Sequence, residues 1–205
     1  MRIERIEPSP HKKGQVLVFL DSGACLKVTE QELLDFSLHA GDELDAAALS
    51  RLREAAGVSN IKAKAAELVS KKAMSRRELE RKLREKGASE EEIAEAVGLL
   101  ETMGALNDAD YAAALARQYA AKGYGPAKIR SKLYEKGVPR ELWEDAMADL
   151  PDDGGQIDAY LRRKLVGVAL DEREKRKLTA SLLRKGFSWE DVRAGWNRVG
   201  QELEG

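Results

Sequence analysis

The chain has 205 residues, a formal net charge of −1, and 35% charged against only 5% aromatic residues. Alanine (29), leucine (26), glutamate (23) and the 35 lysines and arginines supply just over half of it, which is the composition of a helical chain with charged outer faces. The single cysteine, Cys25, excludes an internal disulfide framework and a Cys-rich metal site, and no apolar run is long enough to span a bilayer.

The opening segment, MRIERIEPSPHKK, lacks the apolar stretch of a signal peptide, so a soluble cytoplasmic protein is expected. QVLVFLD (15–21) and ACLKVT (24–29) are β-rich runs separated by Ser22-Gly23, a hairpin signal, and RIERI (2–6) is a third strand candidate whose two isoleucines do not alternate cleanly. Cys25 falls in the second run, where a small core residue is expected rather than a nucleophile. TEQELLDFSLHA and DAAALSRLREAAG then read as two short helices separated by Gly41, with Thr29 and Asp45 as N-caps. An N-terminal module over residues 1–58 follows.

Beyond residue 58 the β signal disappears. NIKAKAAELVSKKAM reads as a helix ending before Ser75, which opens the next helix with Glu78 three residues on, a capping-box pattern. Gly87 stops that helix, and Ser89 with Glu92 forms a second capping box. The phrase KLREKG (82–87) returns as KLYEKG (132–137) and, more weakly, as SLLRKG (181–186). Aligned on Gly87, Gly137 and Gly186, the preceding apolar pairs are Leu79/Leu83, Ile129/Leu133 and Leu178/Leu182. The following apolar positions are Ile93/Val97/Leu100, Trp143/Met147/Leu150 and Val192/Trp196/Val199. Five apolar offsets in helical register in three copies define a repeat.

Each copy holds a leading helix (about 60–73, 107–122 and 156–170), the Leu-xxx-Leu helix and an acidic helix. KGYGP (122–126) and PDDGG (151–155) are the expected bends. The fold class expected is therefore mainly α: tandem three-helix repeats over 59–104, 105–150 and 151–205, forming an elongated array behind the N-terminal module.

Charge alternates along this array. Counting Lys and Arg against Asp and Glu, residues 71–86 carry +5, 87–116 carry −7, 117–140 carry +6, 141–158 carry −7 and 162–185 carry +6. Internal neutralisation and a functional basic track are the two readings. On the first Leu-xxx-Leu helix, Arg77, Arg81 and Arg84 cluster opposite the Leu79/Leu83 stripe, so the core does not need them. Of their counterparts in the other copies, Ala127/Ser131/Tyr134 and Arg176/Ala180/Leu183, only Arg176 is basic. A track there must use Lys128, Arg130 and Lys132, then Lys175 and Lys177.

Catalytic chemistry has little to work with. His11 and His39 are the only histidines and have no ligand spacing, and KGYGPAKI is neither a Walker loop nor a dinucleotide fingerprint. No catalytic, cofactor-binding or metal residues are expected, and no enzyme. The second helix of each helix-turn-helix-like pair (89–101 and 139–150) is acidic, which phosphate repels, and the aromatics read as too few and scattered for a stacking platform. Weak, non-specific, salt-sensitive contact with single- or double-stranded DNA stays open.

SRRELERKLREKG, followed by LLETMGALNDADYAAALARQYAAKGYGPAKIRSKLYEKGV, resembles the RecX family of bacterial recombinase regulators. The motif continues through Gly104, Leu106, Asp108 and Tyr111-Ala112, then Arg117 and the Gly-Pro of the next unit. The match is strong over about 60–150 and fainter over 156–200, where LDEREKRKL departs and Ser181 stands in place of Lys82 and Lys132. In structural terms Gly104 ends a helix, Leu106 enters the core, Asn107 or Asp108 caps the next helix, and Tyr111 faces the repeat interface. The resemblance implies a monomeric regulator without cofactors that binds the RecA filament on DNA and suppresses its ATPase, coprotease and strand-exchange activities in repair and the SOS response. The competing readings are a DNA-binding protein that acts by occupying DNA, and a generic helical-repeat scaffold.

Overall fold

The computed structural model describes residues 1–166 and 171–204. It divides into two compact units, one of Met1–Ala73 with Glu78–Leu106, the other of Met74–Arg77 with the chain from Asn107 onward. The last residues of the leading helix expected to reach 170 lie outside the described residues.

In the first unit, β1 (Ile3–Pro8), β2 (Gln15–Leu20) and β3 (Cys25–Thr29) form an antiparallel sheet in the order β1-β2-β3. A register shift between Ile3 and Arg5 explains the imperfect alternation of RIERI. The extra residue returns Ile6 to the side of Ile3, and both join the core with Val16, Val18, Leu20 and Val28. Cys25 corrects the sequence reading: it is exposed. The core-facing residues of β3 are Leu26 and Val28, so the pleat turns Cys25 and Lys27 outward.

Thr29 and Glu32 close a reciprocal capping box on α1 (Glu30–Asp35), and Asp45 caps α2 (Ala46–Lys71). Here the expected break at Gly57 fails, because α2 is one helix of 26 residues that runs through it. A Cβ at Gly57 would lie 2.3 Å from Glu92 Oε1, so this glycine provides room for the Glu92 side chain instead of ending the helix. The first half of α2 places Leu49, Leu52 and Ala56 on the sheet. Asn60, one turn further on, ties helix to sheet: its amide donates to the Lys27 carbonyl at 2.8 Å and accepts from Gln15 at 2.8 Å. The second half of α2 packs along α4 (Glu90–Thr102), whose Ile93, Ala96, Val97 and Leu100 are buried. α3 (Arg76–Arg84) sends Leu79 and Leu83 inward with no exposed surface. Ser89 and Glu92 form the expected capping box on α4.

The second unit holds α5 (Asp108–Ala121), α6 (Pro126–Glu135), a 3-10 turn (Arg140–Leu142) leading into α7 (Trp143–Ala148), α8 (Asp153–Leu165), α9 (Glu172–Lys185) and α10 (Trp189–Glu204). PDDGG is less of a bend than expected. Asp152 accepts from Gly155 N and α8 starts inside the segment. The repeat offsets locate buried positions in the first and third copies, with Leu178, Leu182, Val192, Trp196 and Val199 all buried. In the second copy Trp143, Met147 and Leu150 are only half-buried. That helix spends its first residues, Arg140–Leu142, in a 3-10 turn, and its α-helical part, which starts without a side-chain cap, is only 6 residues long.

The repeated Lys-Gly phrase forms junctions in this unit. Gly125 N donates to the Lys185 carbonyl at 2.9 Å and Ala127 N to the Gly186 carbonyl at 3.1 Å. The free amides at the start of α6 are thus satisfied by the free carbonyls at the end of α9. At the end of α6 the Lys136 carbonyl accepts from Ser75 Oγ, while Arg76 N donates to Asp108 at 2.7 Å.

Candidate interaction surface

The eight basic positions singled out in the sequence lie on α3, α6 and α9. Arg77, Arg81 and Arg84 are exposed, with the Leu79/Leu83 stripe turned inward. Arg81 pairs with Glu85 one turn on, and Arg84 grips Glu90 with two hydrogen bonds of 2.7 and 2.9 Å. That fork raises the Arg84 pKa and lowers that of Glu90. The stem of Arg77 lies against Gly137, where a Cβ would come within 3.0 Å of it. On α6, Arg130 reaches Glu144 at 3.1 and 3.3 Å, Lys132 pairs with Glu135, and the half-buried Lys128 has its backbone against Gly186. Contact with Glu135 raises the Lys132 pKa. On α9, Lys177 lies 3.3 Å from Glu174 and the Lys175 ammonium sits 5.8 Å above the Trp196 ring. Five of the eight therefore face a carboxylate of this same chain. Exposed pairs of this kind add little stability, but they reduce the charge presented to a partner.

A second cluster carries no signal in the periodicity. The expectation that aromatics are scattered is overturned in the second unit, where Tyr119, Tyr124, Tyr160 and Phe187 come together with cations. Tyr119 and Tyr124 lie 5.6 Å apart, with Lys122 5.1 Å above the former and Lys185 5.2 Å above the latter. Lys185 is also 5.7 Å from the Tyr160 ring, and its ammonium donates to the Gly123 carbonyl at 3.2 Å. Arg163 reaches the same ring at 5.9 Å, while the Tyr160 hydroxyl hydrogen-bonds Ser181 at 2.9 Å. Beside them opens a cavity of about 610 Å³. Arg117, Lys122, Arg163 and Lys185 line it against one carboxylate, Asp149, with Leu150, Pro151 and Phe187 among its apolar walls. None of these four cations has a carboxylate partner among the described residues. Lys185 meets Gly123, Tyr124 and Tyr160 across 62, 61 and 25 positions, and Tyr160 meets Ser181 across 21, beyond the reach of any local pattern.

The motif around Gly104 is structural. Leu106 is buried, Asn107 caps α5 through Ala109 N and Asp110 N, and Asp108 holds the Arg76 amide. Tyr111 packs against the core formed by Ala112, Leu115 and Leu133. Among the described residues there is no group of three or more His, Cys, Asp or Glu that could hold a metal ion, and no helix is long and apolar enough to cross a membrane.

Comparison with known proteins agrees with this architecture. Residues 62–99 match the family described as RecX, first three-helix domain, and residues 107–147 match RecX, second three-helix domain. Regulatory protein RecX of Pseudomonas fluorescens is 34% identical over 130 residues, covering 62% of this chain and 84% of that protein. The protein of the same name from Bacillus licheniformis is 25% identical over 206 residues, 98% of this chain and 78% of the other. Among solved structures, a crystal structure of regulatory protein RecX superposes with a TM-score of 0.70 over 98% of both chains at 23% identity, which supports the fold. RecX from Lactobacillus salivarius gives 0.64 at 26% identity over 71% of this chain and 97% of its own. With the helical core, both three-helix domains and relatives matched along most of their length, this chain belongs to the RecX family of regulatory proteins.

Proposed function

We propose that this chain regulates the RecA recombinase by binding the RecA–DNA filament and slowing its ATP hydrolysis, and with it strand exchange and coprotease activity. The family carries this reading: the relatives are named regulatory proteins. The repeated helices supply a binding architecture, since several similar surfaces on one chain gain affinity from simultaneous modest contacts. Charge on Arg77, Arg81 and Arg84, with Lys128, Arg130, Lys132, Lys175 and Lys177, is the proposed contribution to that contact.

A second reading, inhibition by occupying DNA, is favoured by one observation, the four cations around the cavity, none of which pairs with a carboxylate among the described residues. The two separate in one experiment. RecA is assembled on single-stranded DNA with a saturating nucleotide, this protein is added, and ATP hydrolysis is followed. Binding to the filament predicts inhibition at concentrations well below those needed to bind free DNA. Inhibition that disappears on preassembled filaments, and otherwise tracks free-DNA affinity, establishes DNA occupancy instead. A protein that leaves hydrolysis unchanged in both orders of addition is not a regulator of this reaction.

A further inference from the structure

We infer that the cavity between α5, α8 and the α9–α10 turn is a binding site for one nucleotide unit, a phosphate joined to a base. Four cations meet around a single space with one carboxylate, Asp149, among its lining residues. Elsewhere on this chain the cations commonly pair with acids, as Arg84 does with Glu90 and Arg162 with Glu202. An excess of positive charge this concentrated suits a ligand that carries its negative charge in one group. Arg117 and Arg163 present planar forks that match phosphate geometry, and Lys122 and Lys185 act as point charges.

The lysine heads are already positioned. Lys185 is held by the Gly123 carbonyl and two tyrosine rings, and Lys122 by Tyr119, so less side-chain freedom is lost when an anion arrives. Apart from Asp149, Gln156 and the Tyr160 hydroxyl, the remainder of the cavity is apolar, with Ala120, Leu150, Pro151 and Phe187 in its walls, and its volume is in the range of pockets that enclose small ligands. Phosphate alone would leave those walls uncovered, whereas an attached base would cover them. The site stands apart from the recombinase reading, because it requires only this chain and the ligand.

The test is calorimetric titration of the full chain with thymidine 5′-monophosphate, inorganic phosphate, thymidine, a twelve-residue thymidine strand and polyglutamate. The monophosphate should bind about tenfold more tightly than inorganic phosphate, the difference being the base against the apolar walls. Lys122→Glu with Arg163→Glu should weaken it by tenfold or more, since each removes a charged contact. Both residues are exposed and have no carboxylate partner among the described residues, so circular dichroism should be unchanged. Lys164→Glu, next to Arg163 but outside the cavity lining, controls for net charge and should leave binding intact. If the strand binds more tightly than the monophosphate and the double variant weakens both, the ligand is a nucleotide within a strand. Equal affinities identify a free nucleotide. Monophosphate binding that the double variant leaves unchanged, or polyglutamate binding without any monophosphate binding, overturns the proposal.

Discussion

Gly87 and Gly186 end the same phrase in two different regions, and they serve it differently. Both have positive φ, +84° and +93°, in the left-handed conformation that ends a helix at low cost only for glycine. Around Gly87 a Cβ would meet nothing within 4 Å. At Gly186 it would lie 2.5 Å from Lys128 N and 2.7 Å from Lys128 Cβ. Gly137 falls between them, with a Cβ 3.0 Å from the Arg77 side chain. A single motif is thus a free helix end at 87, a turn covered by a side chain at 137, and a backbone-to-backbone junction at 186.

Three alanine substitutions rank this difference. Gly186→Ala should be the most destabilising, by about 3–5 kcal/mol, because the left-handed strain adds to a contact that backbone atoms cannot relieve. Gly137→Ala should cost about 2–3 kcal/mol, since the Arg77 chain can yield, and Gly87→Ala about 1–2 kcal/mol, the strain alone. Trp143, Trp189 and Trp196 all lie in the second unit, so tryptophan fluorescence reports the first two variants. Far-ultraviolet dichroism reports the third. Equal losses at 87 and 186 would mean that the junction adds no stability.

The opposite side of the junction sharpens the comparison. Gly125→Ala would place a Cβ 2.6 Å from the Gly186 carbonyl and should approach the Gly186→Ala loss. Combining the two should cost less than their sum, because both break the same contact. Ser75→Ala, at the turn before Gly137, removes the donor to the Lys136 carbonyl from a fully buried position and should cost about 1–2 kcal/mol in denaturant unfolding. A neutral result would assign Lys136 to other donors.

Acid should distinguish the two units by the smallest effect. Lys71 and Lys64 hold the Glu67 carboxyl at about 2, below its ordinary 4.5. A depressed carboxylate contributes stability that is present above its unfolded value and is lost as pH falls from about 4.5 towards 2. Asp153 in the second unit has the opposite sign, since burial first, then Asp191 and Asp152, raise its pKa. Its protonation relieves the folded state as pH falls through the raised value. Glu67→Gln should flatten the acid limb of stability measured by dichroism. Asp153→Asn should raise stability near neutral pH and reduce the gain on acidification, read by tryptophan fluorescence. An unchanged acid limb in Glu67→Gln would show that its lysine partners contribute nothing in solution.

Local chemistry was legible from the residues. Thr29, Asp45 and Ser89 cap the helices they were expected to cap, Leu79/Leu83 and Leu178/Leu182 are buried, and the family resemblance rested on contiguous motifs. Each depends on spacings of a few residues, which helical geometry makes neighbours. Gly57 was misread because the reason for a glycine there is the Glu92 side chain, 35 positions away on another helix. Cys25 was misread because strand composition does not say which face meets the core.

The basic positions show the same division. That Arg77, Arg81 and Arg84 point outward follows from a helical wheel, but Glu90 reaching back to Arg84 across the Gly87 turn depends on how that turn is built. The sequence by itself determined the helical class, the three copies, the small sheet and the outward charges, because those follow from periodicity and capping over short spans. Only the tertiary structure decided which Lys-Gly turn is free and which is a junction, and which cations gather around the cavity without a carboxylate partner among the described residues. Those outcomes depend on atoms brought within about 3 to 6 Å across 21 to 62 residues of chain, and no spacing along the sequence encodes that approach.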